Sequence, residues 1–144
     1  MKLYFAYGAN MLKSRMRERC PQSRKAGVAQ LPDWRWIIDA NGFANVIPEA
    51  GACVKGVLYE IGYEDEAALD KFEEVAAGTH RKRSLPMLFN GRTLIALCYV
   101  NSATAEGKAT PDYGQHLLTA FADAGFGNDY MEKNVSRFLA ARAA

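Results

Sequence analysis

Little in these 144 residues points to a membrane, an oxidising compartment or a nucleic-acid partner. Cysteine is scarce. Cys20, Cys53 and Cys98 are an odd set without metal-ligand spacing, and with no export signal they read as free thiols in a reducing cytoplasm. Neither sign of charge dominates: a net charge of +2 is too small by itself to draw a polyanion. No apolar run approaches the length of a membrane span. The opening carries one lysine, strand-like residues and then a glycine, which is not an export signal. Nothing repeats and nothing is low-complexity. What remains is ordinary for a soluble protein, with 49% hydrophobic and 24% charged residues. The length suits a single domain over 1–144 with a core of its own. A cytoplasmic protein is expected, with no membrane or nucleic-acid partner.

The pattern along the chain places the elements. Strand-type residues run up to Tyr7, and a helical pattern covers 11–19. That helix and its sequel are basic, with Lys13, Arg15, Arg17, Arg19, Arg24 and Lys25 against Glu18 alone. The run reads as a solvated face, or as a mild positive field for anions. Two strand pieces lie within 28–40, the Asn41-Gly42 turn follows, and 43–47 returns as a strand stopped by Pro48. Residues 49–51 form a second turn, and 53–61 is the clearest strand, with Gly56 marking a bulge or a close backbone approach.

A helix is expected over 64–77, opened by acids and ended by Gly78. Strands 83–89 and 93–100 flank the Asn90-Gly91 turn, and Arg81, Lys82 and Arg83 read as a solvated strand end. Thr110-Pro111 opens a helix that Gly125 ends. A last helix from Asp129 sets Met131, Val135, Phe138 and Leu139 on one face. Strands that arrive as hairpins, not as βα repeats, predict an α+β fold. The expected form is a small mixed, mostly antiparallel β-barrel that buries Trp34 and Trp36, with helices outside.

Two stretches carry candidate chemistry. In the first, Tyr7, Gly8, Ala9, Asn10 and Met11 join a strand to a helix through a tight turn. Gly8 permits unusual backbone conformations, and Asn10 is of a residue type that caps helices. Such a turn either simply connects core elements or offers outward N–H groups to a phosphate or carboxylate.

The second stretch is the helix around Glu73. At about 100° per residue, Ala68, Leu69, Phe72, Val75 and Ala76 share one apolar stripe. Asp70 and Glu74 face away from it, toward water. Glu73 lies at its border and can enter a half-buried pocket; adjacent Glu73 and Glu74 diverge too far to form a dyad. Partial burial favours the neutral carboxyl, which suits a group that takes and returns a proton near neutral pH. The plainer alternative is a boundary glutamate paired with a lysine or arginine. His116 reads as a surface or packing residue, and His80 as structural or as a pocket residue. Tyr4 and Tyr7 read as core or pocket wall.

The two stretches together resemble the γ-glutamyl cyclotransferase (AIG2-like) family. Tyr7-Gly8-Ala9-Asn10-Met11 is similar to its Tyr-Gly-Ser-Asn-Leu opening. Gly56-Val57-Leu58-Tyr59-Glu60 is similar to its Gly-Val-x-Tyr/Trp-Glu strand, and Leu69-Asp70-Lys71-Phe72-Glu73 to its Leu-Asp-x-x-Glu. Pro111-Asp112-Tyr113, Gly125-Phe126 and Asp129-Tyr130-Met131 resemble its closing helices. Three positions depart: Ala9 replaces a serine, Glu74 follows Glu73 where glycine is usual, and His80 stands where many members carry tyrosine.

The resemblance implies Glu73 as the catalytic acid/base, and Tyr7, Gly8, Ala9, Asn10, Met11 and His80 as substrate-binding residues. It implies cyclisation of a γ-glutamyl amide or peptide to 5-oxoproline, with release of an amine or amino acid. No metal or cofactor is needed, and a monomer or weak homodimer is expected. A non-catalytic binding protein on the same fold is the runner-up. A nucleic-acid module is disfavoured by the balanced charge and by the acids over 60–74.

Overall fold

Hairpins that cannot hide an apolar face alone curl until their edges meet. In the computed structural model, which describes residues 2–139, five strands do this. They are β1 (Lys2–Ala6), β2 (Arg24–Ile38), β3 (Ala44–Ile61), β4 (His80–Phe89) and β5 (Arg92–Asn101). The barrel closes in the order β1-β3-β2-β4-β5. Every neighbouring pair is antiparallel except β1 with β5, which is parallel at Tyr4↔Leu97. Four helices flank it: α1 (Lys13–Arg19), α2 (Tyr63–Phe72), α3 (Pro111–Ala124) and α4 (Asn128–Asn134). This is the mixed, mostly antiparallel α+β barrel expected of the pattern.

The strands are longer than their sequence signals. β2 is continuous where two pieces were expected, and β3 runs through Pro48. Pro48 lies opposite Trp34 and Cys53 opposite Pro32, so residues 49–52 face Asp33 alone. Asp33 takes a left-handed φ of 67°, and its Oδ1 accepts from the Gly51 N–H at 3.0 Å. The expected turn is a bulge, a place where a strand tolerates proline.

Trp36 is fully buried, and its Nε1–H donates to the Tyr7 carbonyl at 2.8 Å. Phe121 of α3 and Phe138 meet its ring edge-on at 5.6 and 5.8 Å. One side chain thus ties β2 to the glycine turn and α3 to the barrel. Trp34 is only half-buried, with the Arg83 guanidinium 5.8 Å above its ring, so the expectation that both tryptophans are core holds for Trp36 alone. Gly56 serves a close approach: a Cβ there would lie 2.5 Å from the Ala6 carbonyl oxygen and from the Phe5 ring.

Thr110 caps α3 by accepting from the Tyr113 N–H at 3.3 Å, and Gly125 ends it at φ 77°. The last helix stops at Asn134, and Val135 and Phe138 reach the core from beyond it, through a short turn of 3-10 helix. The helix expected over 64–77 stops at Phe72. Glu74 there takes φ 54°, its N–H bonds the Lys71 carbonyl at 3.2 Å, and the Val75 N–H bonds the Asp70 carbonyl at 3.0 Å. These crossed bonds are the Schellman ending of a helix, normally made with glycine at the left-handed position.

Candidate active site

The helix ending decides where Glu73 points. Glu73 is the last residue before the chain reverses and projects from the end of α2, not from its side. Of the expected apolar stripe only Leu69 is fully buried; Phe72 is half exposed. The Glu73 side chain is nonetheless only 16% exposed and lines a cavity of about 580 Å³. Burial holds its carboxyl above the ordinary glutamate value, while His80 and Arg19 pull the other way. Glu74 is exposed and accepts from the Thr79 hydroxyl at 3.2 Å. Asp70 does not face open water as expected: it accepts from Tyr99 Oη at 2.6 Å and from Lys82 Nζ at 3.0 Å. Lys82 also pairs with Glu66, so only Arg81 and Arg83 of the basic strand end are solvated.

The glycine turn lines the same cavity through Tyr7, Gly8, Ala9 and Asn10. Its φ of −126° shows that Gly8 is not in the left-handed region; a Cβ there would instead press to 3.2 Å from Ala44 Cβ. Ala9, Asn10 and Met11 form a single turn of 3-10 helix, and α1 starts only after Leu12, so Asn10 is not its cap. Both ends of the Asn10 amide are used within the protein. Nδ2 donates to Tyr4 Oη at 3.0 Å, and Oδ1 accepts from Arg19. Met11 is fully buried and does not line the cavity; its N–H bonds the Gly8 carbonyl at 3.0 Å. Tyr7 lines the cavity while its hydroxyl donates to the Tyr99 carbonyl at 2.6 Å. Among the described residues no acceptor takes the N–H groups of Gly8, Ala9 or Asn10. Unpaired N–H groups at the start of a helical turn favour an anion.

The basic helix contributes more than a solvated face. Arg15 and Arg19 are four residues apart, share one side of α1, and both line the cavity. The Arg19 guanidinium lies 3.4 Å above the Phe72 ring centroid. Burial, then the charge of Arg15, lower its pKa. Arg15 Nη2 meets His116 Nδ1 at 3.3 Å; a guanidinium only donates, so that nitrogen accepts. Neither arginine has a carboxylate partner among the described residues. His116, read from sequence as a surface or packing residue, is a cavity residue. The four-residue spacing was the available signal for the arginines, but which face turns inward depends on how α1 docks.

His80, the first residue of β4, also lines the cavity. Its Nδ1 is 3.0 Å from the Glu73 carbonyl oxygen and 3.3 Å from Glu73 Oε2. Among the described residues no group of three or more His, Cys, Asp or Glu side chains could hold a metal ion, and no helix is long and apolar enough to cross a membrane.

A desolvated carboxyl group, main-chain N–H groups and two guanidiniums that have no carboxylate partner among the described residues share one cavity, and together they have the chemistry of a site for a small anionic molecule that exchanges protons. The family model described as "Gamma-glutamyl cyclotransferase, AIG2-like" matches residues 4–117, and the chain belongs to that family. It is 25% identical to mouse gamma-glutamylcyclotransferase over 145 residues, covering 91% of this chain and 76% of that protein. The human protein of the same name is 24% identical over 142 residues, with the same coverage. A solved gamma-glutamyl cyclotransferase structure superposes with a TM-score of 0.84 at 23% identity, covering 92% of this chain and 85% of that one. YkqA from Bacillus subtilis superposes at 0.78 with 25% identity, over 92% of this chain and 52% of that one.

Proposed function

We propose that this protein cyclises γ-glutamyl amides or peptides, releasing 5-oxoproline and a free amine or amino acid. The observation that carries the reading is the half-buried Glu73 carboxyl, held above its ordinary pKa, in one cavity with the unpaired N–H groups of Gly8, Ala9 and Asn10. Family membership and the names of the relatives support it.

In this reading the turn binds the substrate α-carboxylate through its N–H groups. Arg19 adds positive charge to the same cavity, held by Asn10 on one side and Phe72 on the other. Glu73 takes a proton from the α-ammonium and returns one to the departing nitrogen. The α-nitrogen attacks its own γ-carbonyl, so the cavity need only hold one rotamer for the reaction to proceed as an intramolecular step. Asn10 acts by holding Arg19, and Met11 by shaping the turn.

The test is 5-oxoproline release, followed by mass spectrometry, from a panel of γ-glutamyl dipeptides and γ-glutamyl amines. Wild type is expected to form product and Glu73→Gln is not. Binding without product in wild type would instead favour a ligand-binding role.

A further inference from the structure

A carboxylate can hold one proton, but the proposed cyclisation moves more than one. The attacking nitrogen begins as an ammonium with three protons and ends as a ring N–H with one. Its electron pair forms the new ring C–N bond. The amide C–N bond breaks with its pair going to the departing nitrogen, which begins with one proton. That nitrogen gains one proton to leave as an amine and two to leave as an ammonium. Two protons therefore leave one nitrogen within a single turnover.

Glu73 has a second titratable group beside it. His80 Nδ1 is 3.0 Å from the Glu73 carbonyl oxygen, and a carbonyl only accepts, so Nδ1 carries the proton. In the neutral ring the lone pair then sits on Nε2. Nε2 has no hydrogen-bond partner among the described residues, and the side chain, 15% exposed, lines the same cavity as Glu73. Glu73 Oε2 lies 3.3 Å from Nδ1, so the two side chains meet at the wall of the cavity.

We propose that His80 is a second proton carrier of this site: Nδ1–H anchors Glu73, Nε2 takes one of the two protons leaving the attacking nitrogen, and Glu73 takes the other. Both protons then pass to the departing nitrogen, and the pair returns to its starting state. The inference rests on the cyclotransferase reading above. The competing role is a purely structural one, in which His80 only pins the end of α2 to β4.

His80→Asn separates the two, because the asparagine amide can still donate where Nδ1 does but offers no base where Nε2 was. The variant is expected to fold as wild type, with kcat lowered by about 100-fold and KM little changed. The acid limb of the kcat/KM pH profile should also change. It is expected to approach a slope of two in wild type, where Glu73 and His80 must both be deprotonated, and a slope of one in His80→Asn. The other titratable and charged groups of the cavity, the carboxyls of Glu73, Glu74 and Asp112, the imidazole of His116, the phenols of Tyr4, Tyr7, Tyr99 and Tyr113, and Arg15 and Arg19, are common to both proteins, so the change in slope belongs to His80. If the asparagine variant melts early, His80→Gln, which also lacks a base, is expected to show the same slope of one. A variant with wild-type kcat and an unchanged acid limb would leave His80 an anchor only and overturn the proposal, with the cyclotransferase reading intact. Absence of 5-oxoproline from wild type across the panel would overturn that reading, and this inference with it.

Discussion

Near neutral pH the buried carboxyl of Glu73 destabilises the fold, because burial penalises its charged form. Its folded pKa lies above the unfolded value, near 4.3, because burial disfavours the charge. The favourable contribution is therefore complete below about pH 4 and is lost as pH rises through the folded value. A glutamine is not subject to that loss. Thermal melts should accordingly find Glu73→Gln at least as stable as wild type at pH 7, with the advantage gone near pH 4. Its turnover should fall by about 10²- to 10⁴-fold, the range for a positioned acid–base group. In wild type the acid limb of kcat/KM should lie above the range of a solvated glutamate. In the proposed cyclisation Arg19 serves binding rather than proton transfer. A charge-assisted hydrogen bond contributes about 1.5–3 kcal/mol, so steady-state kinetics of Arg19→Gln should show KM raised about tenfold or more, with kcat changed less. The sequence reading that Glu73, and not Glu74, enters a half-buried pocket agrees with the structure, but for a reason the structure replaces. A helical wheel assumes that the helix continues, and Glu73 owes its place to the helix ending.

That ending is an element-scale feature with its own consequence for stability. Glu74 holds the left-handed position of the Schellman turn at φ 54°, where an L side chain is strained and glycine is not. Relief of the strain exceeds the extra chain entropy of glycine only modestly, so Glu74→Gly should stabilise the protein by about 0.5–1 kcal/mol. In a chain of this size that is a rise of about 2–4 °C per kcal/mol in Tm, measurable by calorimetry. Elements with strong local punctuation were legible: α3, between Thr110-Pro111 and Gly125, begins and ends where the residues say. Elements whose limits depend on partners were not. β3 passes through Pro48 because a bulge opposite Asp33 absorbs it, and α2 ends ahead of Gly78 because a glutamate takes the conformation expected of a glycine. The cavity arginines were hidden in the same way, since only the docking of α1 decides that Arg15 and Arg19 face inward.

At the scale of the whole molecule, the barrel and the site share one keystone. Trp36 fills the space between α3 and the strands and holds the Tyr7 carbonyl at the head of the glycine turn. Trp36→Ala should destabilise by about 3–5 kcal/mol in denaturant titrations. The hairpin order that made the barrel legible said nothing of how it closes, because β1 finds its partners far along the chain. Tyr4 pairs in parallel with Leu97, and β1 lies between β3 and β5. Contacts between distant segments form slowly, since the intervening chain must first be gathered. On the ribosome β1 emerges long before β5, so until β5 follows, β1 has one open edge of the kind that invites misassembly. Tyr7, at the head of the turn, finds the acceptor of its hydroxyl, the Tyr99 carbonyl, only when that late strand arrives, so a nascent or truncated chain lacking β5 carries the residues of the turn without the wall that Tyr99 and Asn101 give the cavity.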